Sequence, residues 1–177
     1  STFIACPAVK FRHLKIQRWL IKPLMVAASS TKPNPTVHND HLKVRRIAVD
    51  ILNDIEKDNR TLDNILDDTL ERKQLSDRRD RALLHALVFG ILRWRGRLDY
   101  IINSFSRTRL NKIDPPVLNI LRLGLFQMVY LNRIPVSAAV NTAVDLAKAS
   151  SPPWVIRYVN AVLRSAARDQ KNVRFPD

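Results

Sequence analysis

The sequence predicts an all-α protein, a compact bundle of about seven helices. From residue 41 onward, apolar residues recur at intervals of three and four in one segment after another, the period of a helix face. No stretch alternates apolar and polar residues as a half-buried strand does, and no hairpin signal is present. The only glycines, Gly90, Gly96 and Gly124, lie near or within the predicted helices.

The elements follow in order. Val44, Ile47, Ala48, Ile51, Leu52 and Ile55 form one apolar face, with Lys43, Arg45, Arg46 and Asp50 elsewhere on the wheel. Asp58-Asn59 ends that helix. Thr61 caps a second, with apolar positions Leu62, Ile65, Leu66 and Leu70. Ser76 or Asp77 caps a third, whose buried stripe is Leu83, Leu84, Leu87, Val88, Ile91 and Leu92. Gly96 is expected to let the chain bend before a fourth helix through Leu98, Ile101, Ile102 and Phe105. Asp114-Pro115 starts a fifth, because proline tolerates the first helical turn. Its span to Leu131 is apolar on nearly all sides, with a narrow polar stripe of Asn119, Arg122 and Gln127. Such a helix belongs at the centre, and Gly124 within it implies close approach of a neighbour. Pro135 opens a sixth helix to about Ala149, and Ser151-Pro152 a seventh to about Arg168. Asn141 and Asn160 interrupt apolar faces and are expected to tie two helices together by hydrogen bonds.

The length, 177 residues, suits one domain, and 46% apolar residues supply a core. Lys and Arg number 30 against 16 acids, a net charge of +14. Such an excess favours a polyanionic partner, nucleic acid or an anionic membrane surface. No membrane span is expected, since the most apolar N-terminal stretch, from Leu14 to Ala28, is broken by Lys15, Gln17, Arg18, Lys22 and Pro23. Cys6 is the only cysteine, which excludes an internal disulfide and a cysteine-based zinc site. His13, His38, His41 and His85 lack metal-ligand spacing. A reducing compartment, the cytoplasm, is the expected location.

Residues 1–40 carry six Lys or Arg and one acid, Asp40, without a sustained helical pattern. Three readings stand: a basic arm that touches RNA, an organellar transit peptide for plastid or mitochondrion, or a translated upstream stretch with Met25 as the true start. The third is preferred. The helical domain is placed at 41–169, with 170–177 as a C-terminal tail.

A reaction centre is not expected. There is no glycine-rich phosphate loop, and a Rossmann domain is incompatible with the lack of strands and glycines. Asp63, Asp67, Asp68 and Glu71 share one helix and read as a solvated acidic face rather than a metal site. What stands out is arginine. The first basic cluster is Lys43, Arg45 and Arg46. The second is Arg78, Arg79 and Arg81, then Arg93, Arg95 and Arg97 around Trp94. The third is Arg107, Arg109 and Lys112. Guanidinium forks suit phosphates. Trp94 either stacks on an unpaired base or packs on a neighbouring helix.

Four stretches carry a family resemblance: Arg45-Arg46-Ile47-Ala48 through Leu52; Asp80-Arg81-Ala82-Leu83-Leu84 to Gly90-Ile91-Leu92-Arg93 and Arg97-Leu98-Asp99; Ile120-Leu121-Arg122-Leu123-Gly124 with Gln127 and Ile134-Pro135; and Ala139-Val140-Asn141 through Ala147-Lys148, then Val159 to Arg164. Over about residues 42–168 the chain resembles the NusB fold. It is most similar to the version that begins the Sun/Fmu (RsmB-type) small-subunit rRNA cytosine methyltransferases. The resemblance implies a helical bundle in two packed halves that binds ribosomal-type RNA, with Lys43, Arg45 and Arg46 among the contacts. It implies a linked methyltransferase domain or, in the stand-alone antitermination factors, a small ribosomal protein as partner. S-adenosylmethionine and the catalytic cysteines belong to that further domain, so the chain is expected to hold no cofactor and to be non-catalytic.

Overall fold

The computed structural model describes residues 37–57, 61–73, 75 and 77–169, with side chains from residue 42 onward. The expectations for Cys6, the N-terminal arm, Asp58-Asn59, Ser76 and the tail fall outside these residues. The described residues form seven α-helices and one short 3-10 turn: α1 (Val37–Lys57), α2 (Leu62–Lys73), α3 (Arg78–Arg93), α4 (Arg95–Phe105), a turn at Leu110–Lys112, α5 (Pro115–Tyr130), α6 (Val136–Ser150) and α7 (Pro153–Asp169). There is no strand among them. The first helix opens at Val37, ahead of the expected residue 41.

Local signals act largely as read. The Thr61 hydroxyl accepts from the Asn64 amide, and Asp77 caps α3 by accepting from the Arg79 amide at 2.8 Å. Two prolines follow Asp114 at the start of α5. The bend between α3 and α4 falls at Trp94, with φ −101° and ψ 15°, and not at Gly96. A side chain at Gly96 would meet nothing within 4 Å, so glycine is not required there.

The bundle is organised on α5, which is buried continuously from Val117 to Met128. α1 packs with α2 and α3, and α6 packs with α7. α4 lies against α7, and α5 touches α1, α3, α4, α6 and α7. One core cluster runs through all of them, with Ile51, Leu84, Leu98, Leu121, Leu125 and Leu163 essentially inaccessible. Gly124 does what its position implied. A β-carbon there would stand 2.8 Å from Leu163 Cδ1 of α7 and 3.2 Å from Ala143 Cβ of α6. Gly90 is tighter still, with the Phe126 ring of α5 seated directly on the α3 backbone.

The polar stripe of α5 faces inward. Arg122, 2% exposed, grips Asp99 of α4 bidentately, Nε to Oδ1 at 2.7 Å and NH2 to Oδ2 at 2.9 Å. Its NH1 donates to Glu56 of α1 at 3.0 Å and to Asn119 at 2.8 Å. Asn119 in turn donates to Asn53 of α1 at 2.8 Å. This network ties α1, α4 and α5. The expected tie through Asn141 and Asn160 is not the one observed: Asn141 is exposed, and Asn160 accepts from Arg164 of its own helix at 2.9 Å. Both lie toward the rim of the α6–α7 packing, where water competes for amides.

Candidate nucleic-acid interface

Arg45 leaves the proposed basic surface. It is 6% exposed, donates Nε–H to the Gln127 side chain, and burial lowers its pKa from the ordinary arginine value. The reason lies on the helical wheel, where Arg45 falls between Leu52 and Val49, both buried. Gln127 donates its own amide to Leu123 O at 3.2 Å, so the side chain is held in place to receive the guanidinium.

The other two residues of the first cluster, Lys43 and Arg46, are exposed. Arg46 lines a recess of about 410 Å³ between α1, the start of α5, the end of α6 and the start of α7. Asp50 and Asn53 supply acceptors on its wall, and Asp114 lies at its rim beside α5. Burial raises the Asp50 carboxyl above its ordinary pKa; Lys73 and Arg46 pull it down and Asp54 pushes it up. Trp154, on the first turn of α7, borders the same recess and is 60% exposed. Tryptophan ordinarily buries its large apolar area, and here the indole is left largely in solvent at a recess that Arg46 also lines. Sequence reading missed Trp154. The available signal was a tryptophan directly after Pro153 at a helix start, where little of the helix precedes it to pack against.

The second cluster divides. Arg78 and Arg79 are exposed at the start of α3, and Arg93 is at its end. Fifteen residue steps separate Arg78 from Arg93, about 22 Å along the axis, so they do not form one patch. Arg95 turns away from Arg93 and Arg97 and pairs with Glu56, NH2 to Oε1 at 2.8 Å, joining the Arg122 network. Arg95 and Lys112 line a second recess of about 490 Å³, also bordered by Glu56, Asn111 and Asp114. Asp114 therefore separates two recesses flanking the start of α5. Pro115 and Pro116 provide no amide N–H there, so cationic side chains rather than the helix terminus are left to meet an anion.

Trp94 packs as a structural residue. Its ring stacks on Tyr130 of α5, centroids 5.1 Å apart and planes 16° apart, and Tyr130 stacks on Phe126 at 5.3 Å. Arg93 and Arg97 lie over the indole, their Cζ atoms 5.7 and 6.0 Å from its centroid. The Tyr130 hydroxyl is buried without a hydrogen bond of good geometry; burial raises its pKa and the nearby Arg97 lowers it.

Arg107 and Arg109 are exposed on the loop after α4. Ser106 holds this loop: its hydroxyl bonds Thr108 O at 2.7 Å and receives the Thr108 amide at 3.0 Å. It also meets the Tyr158 hydroxyl of α7 at 2.7 Å.

Asp63, Asp67, Asp68 and Glu71 are all exposed. No group of three potential metal ligands converges among the described residues. No described helix is long and apolar enough to cross a membrane.

The chain matches the model of the NusB family over residues 42–168. The chain belongs to the NusB family. Among curated relatives, the probable ribosomal RNA small subunit methyltransferase B of Synechocystis sp. is 36% identical over 73% of the chain, which spans 29% of that protein. The probable counterpart in Bacillus subtilis is 37% identical over 71% of the chain and 28% of its own length. Among solved structures, that of antitermination factors NusB and NusE in complex with dsRNA aligns with TM-score 0.67 at 19% identity. The alignment covers 73% of this chain and 97% of the other. The NusB fold is thus shared, while the sequence kinship runs to the methyltransferase B proteins.

Proposed function

We infer that this chain is a non-catalytic RNA-binding domain, the part that holds small-subunit ribosomal RNA for a cytosine methyltransferase domain elsewhere in the full-length protein. The observation that carries the reading is Trp154, exposed beside Arg46 at a recess of nucleotide size. An unpaired base stacks on the indole while Arg46 and neighbouring cations neutralise the backbone. Asp50 and Asn53 offer acceptors for exocyclic amines of that base. Kinship with the methyltransferase B proteins supports ribosomal RNA as the ligand class. S-adenosylmethionine and the reacting cysteines belong to the separate domain.

Binding of the full chain to a small-subunit rRNA fragment, followed by fluorescence anisotropy, tests this. Affinity should fall steeply with salt, since phosphate contacts release counterions. Trp154→Ala should weaken binding by about tenfold, the loss of one base–aromatic stack, with an unchanged circular dichroism spectrum. Arg46→Gln should lower the slope of log K against log salt by about 0.7, one phosphate contact on a single strand. Salt-independent binding, or none at low salt, would overturn the reading.

A further inference from the structure

We propose that Arg93, Trp94 and Arg97 form a clamp for RNA phosphates, in which the indole presents two guanidinium groups and does not itself stack on a base. The proposal rests on the RNA-binding reading above and assigns a second contact to it.

The geometry of the α3–α4 junction carries the argument. Trp94 is the single residue between two helices. The turn there brings Arg93, the last residue of α3, and Arg97, in the first turn of α4, over the same ring. Tyr130 covers one face of that ring and is itself backed by Phe126. The two guanidinium groups lie 5.7 and 6.0 Å from the ring centroid, so a base would have to compete with them for the indole. The accessible chemistry is the outward edge of two exposed arginines.

A guanidinium resting on an aromatic ring keeps its planar fork of donors and has less freedom to lose when it binds. Each carries five N–H donors, so a contact already made by one edge leaves others for a phosphate oxygen. Among the described residues Arg93 pairs with no carboxylate, in contrast to Arg95, which Glu56 holds. The clamp also stands apart from the Trp154 recess. Tyr130 is the last residue of α5, whereas Asp114 at the recess precedes its first. The recess lining reaches along α5 as far as Ile120, ten residues before Tyr130, so the two sites are about 15 Å apart along that axis at their nearest.

The test uses the full chain and two labelled probes: oligouridylate, and the same ribose-phosphate backbone with abasic sugars. Anisotropy is measured over a range of salt. The surface pair Arg93→Gln/Arg97→Gln should reduce the salt slope by about 1.4, two single-strand phosphate contacts, equally for both probes. Trp94→Leu should weaken both probes in the same direction, and Trp94→Phe, which keeps an aromatic face, should restore most of the binding. Trp154→Ala should weaken the oligouridylate alone.

An unchanged salt slope in the double arginine variant, with the Trp154→Ala effect intact, would overturn the clamp and leave the RNA-binding reading standing. A Trp94→Leu loss confined to the base-bearing probe would make Trp94 a stacking residue and overturn the clamp equally. If Trp94→Leu does not fold, the arginine pair, which is exposed, decides. Failure of the wild-type chain to bind either probe at low salt would remove both readings together.

Discussion

Replacing Arg122 with alanine is expected to destabilise the protein by about 3 kcal/mol or more, the range for breaking a buried ion pair by removing one partner. The Arg122 side chain is 3% exposed, and the carboxylates it holds, Asp99 and Glu56, are 23% and 21% exposed. Without the guanidinium, Asp99 loses both of its charge-assisted bonds, and Asn119 loses the donor to its carbonyl oxygen. Arg95 keeps Glu56 partly neutralised, so the damage centres on the α4–α5 contact. Urea unfolding followed by circular dichroism measures the effect as a lower midpoint at unchanged slope. The double change Arg122→Met/Asp99→Leu should recover much of the loss, because replacing a buried pair with apolar groups of similar volume is often neutral. A single variant as stable as wild type would mean that the network is dispensable.

Gly90→Val is expected to cost about 2 to 3 kcal/mol by overpacking. The new β-carbon alone would run into Phe126 Cζ and lie 2.6 Å from Cε2. Helix propensity works in the opposite direction, since glycine is about 1 kcal/mol worse than alanine in a helix interior. The clash is the larger effect because the Phe126 ring is stacked against Tyr130, which is stacked against Trp94. Displacing it disturbs three aromatic groups at once. Pairing the substitution with Phe126→Leu should return part of the stability, as the shortened side chain vacates the space. Thermal melts of the two single variants and the double variant decide it. An uncoupled sum of the two single effects would show that the ring and the glycine do not share that space.

Much of the helical order was legible because its causes are local. Asp77 and Thr61 cap their helices through bonds to amides two or three residues away, and the periodic apolar residues of α1 and α3 are the buried ones. Gly124 was legible through its cost, since a glycine in an otherwise apolar helix needs a neighbour at close range. The exposure of the candidate site residues was legible in part. Lys43, Arg46, Arg78, Arg79, Arg93, Arg97, Arg107, Arg109 and Lys112 are exposed as expected of a basic surface. The sequence did not reveal which of them meet. Arg45 and Arg46 are neighbours in the chain, yet one is in the core and the other at a recess, because a helix turns about 100° per residue. Val49, beyond Arg45 on the wheel, was the overlooked sign that the buried face is wide.

The amino-acid order alone settled the helical class, the central place of α5 and the excess of positive charge, since each depends on periodicity, composition or a short-range bond. Only the packed bundle decided the partners of Arg122, the burial of Arg45, the pairing of Arg95 with Glu56 and the exposure of Trp154. These depend on residues dozens of positions apart meeting at one distance and one angle. That meeting is set when helices dock, so no local pattern in the chain encodes it.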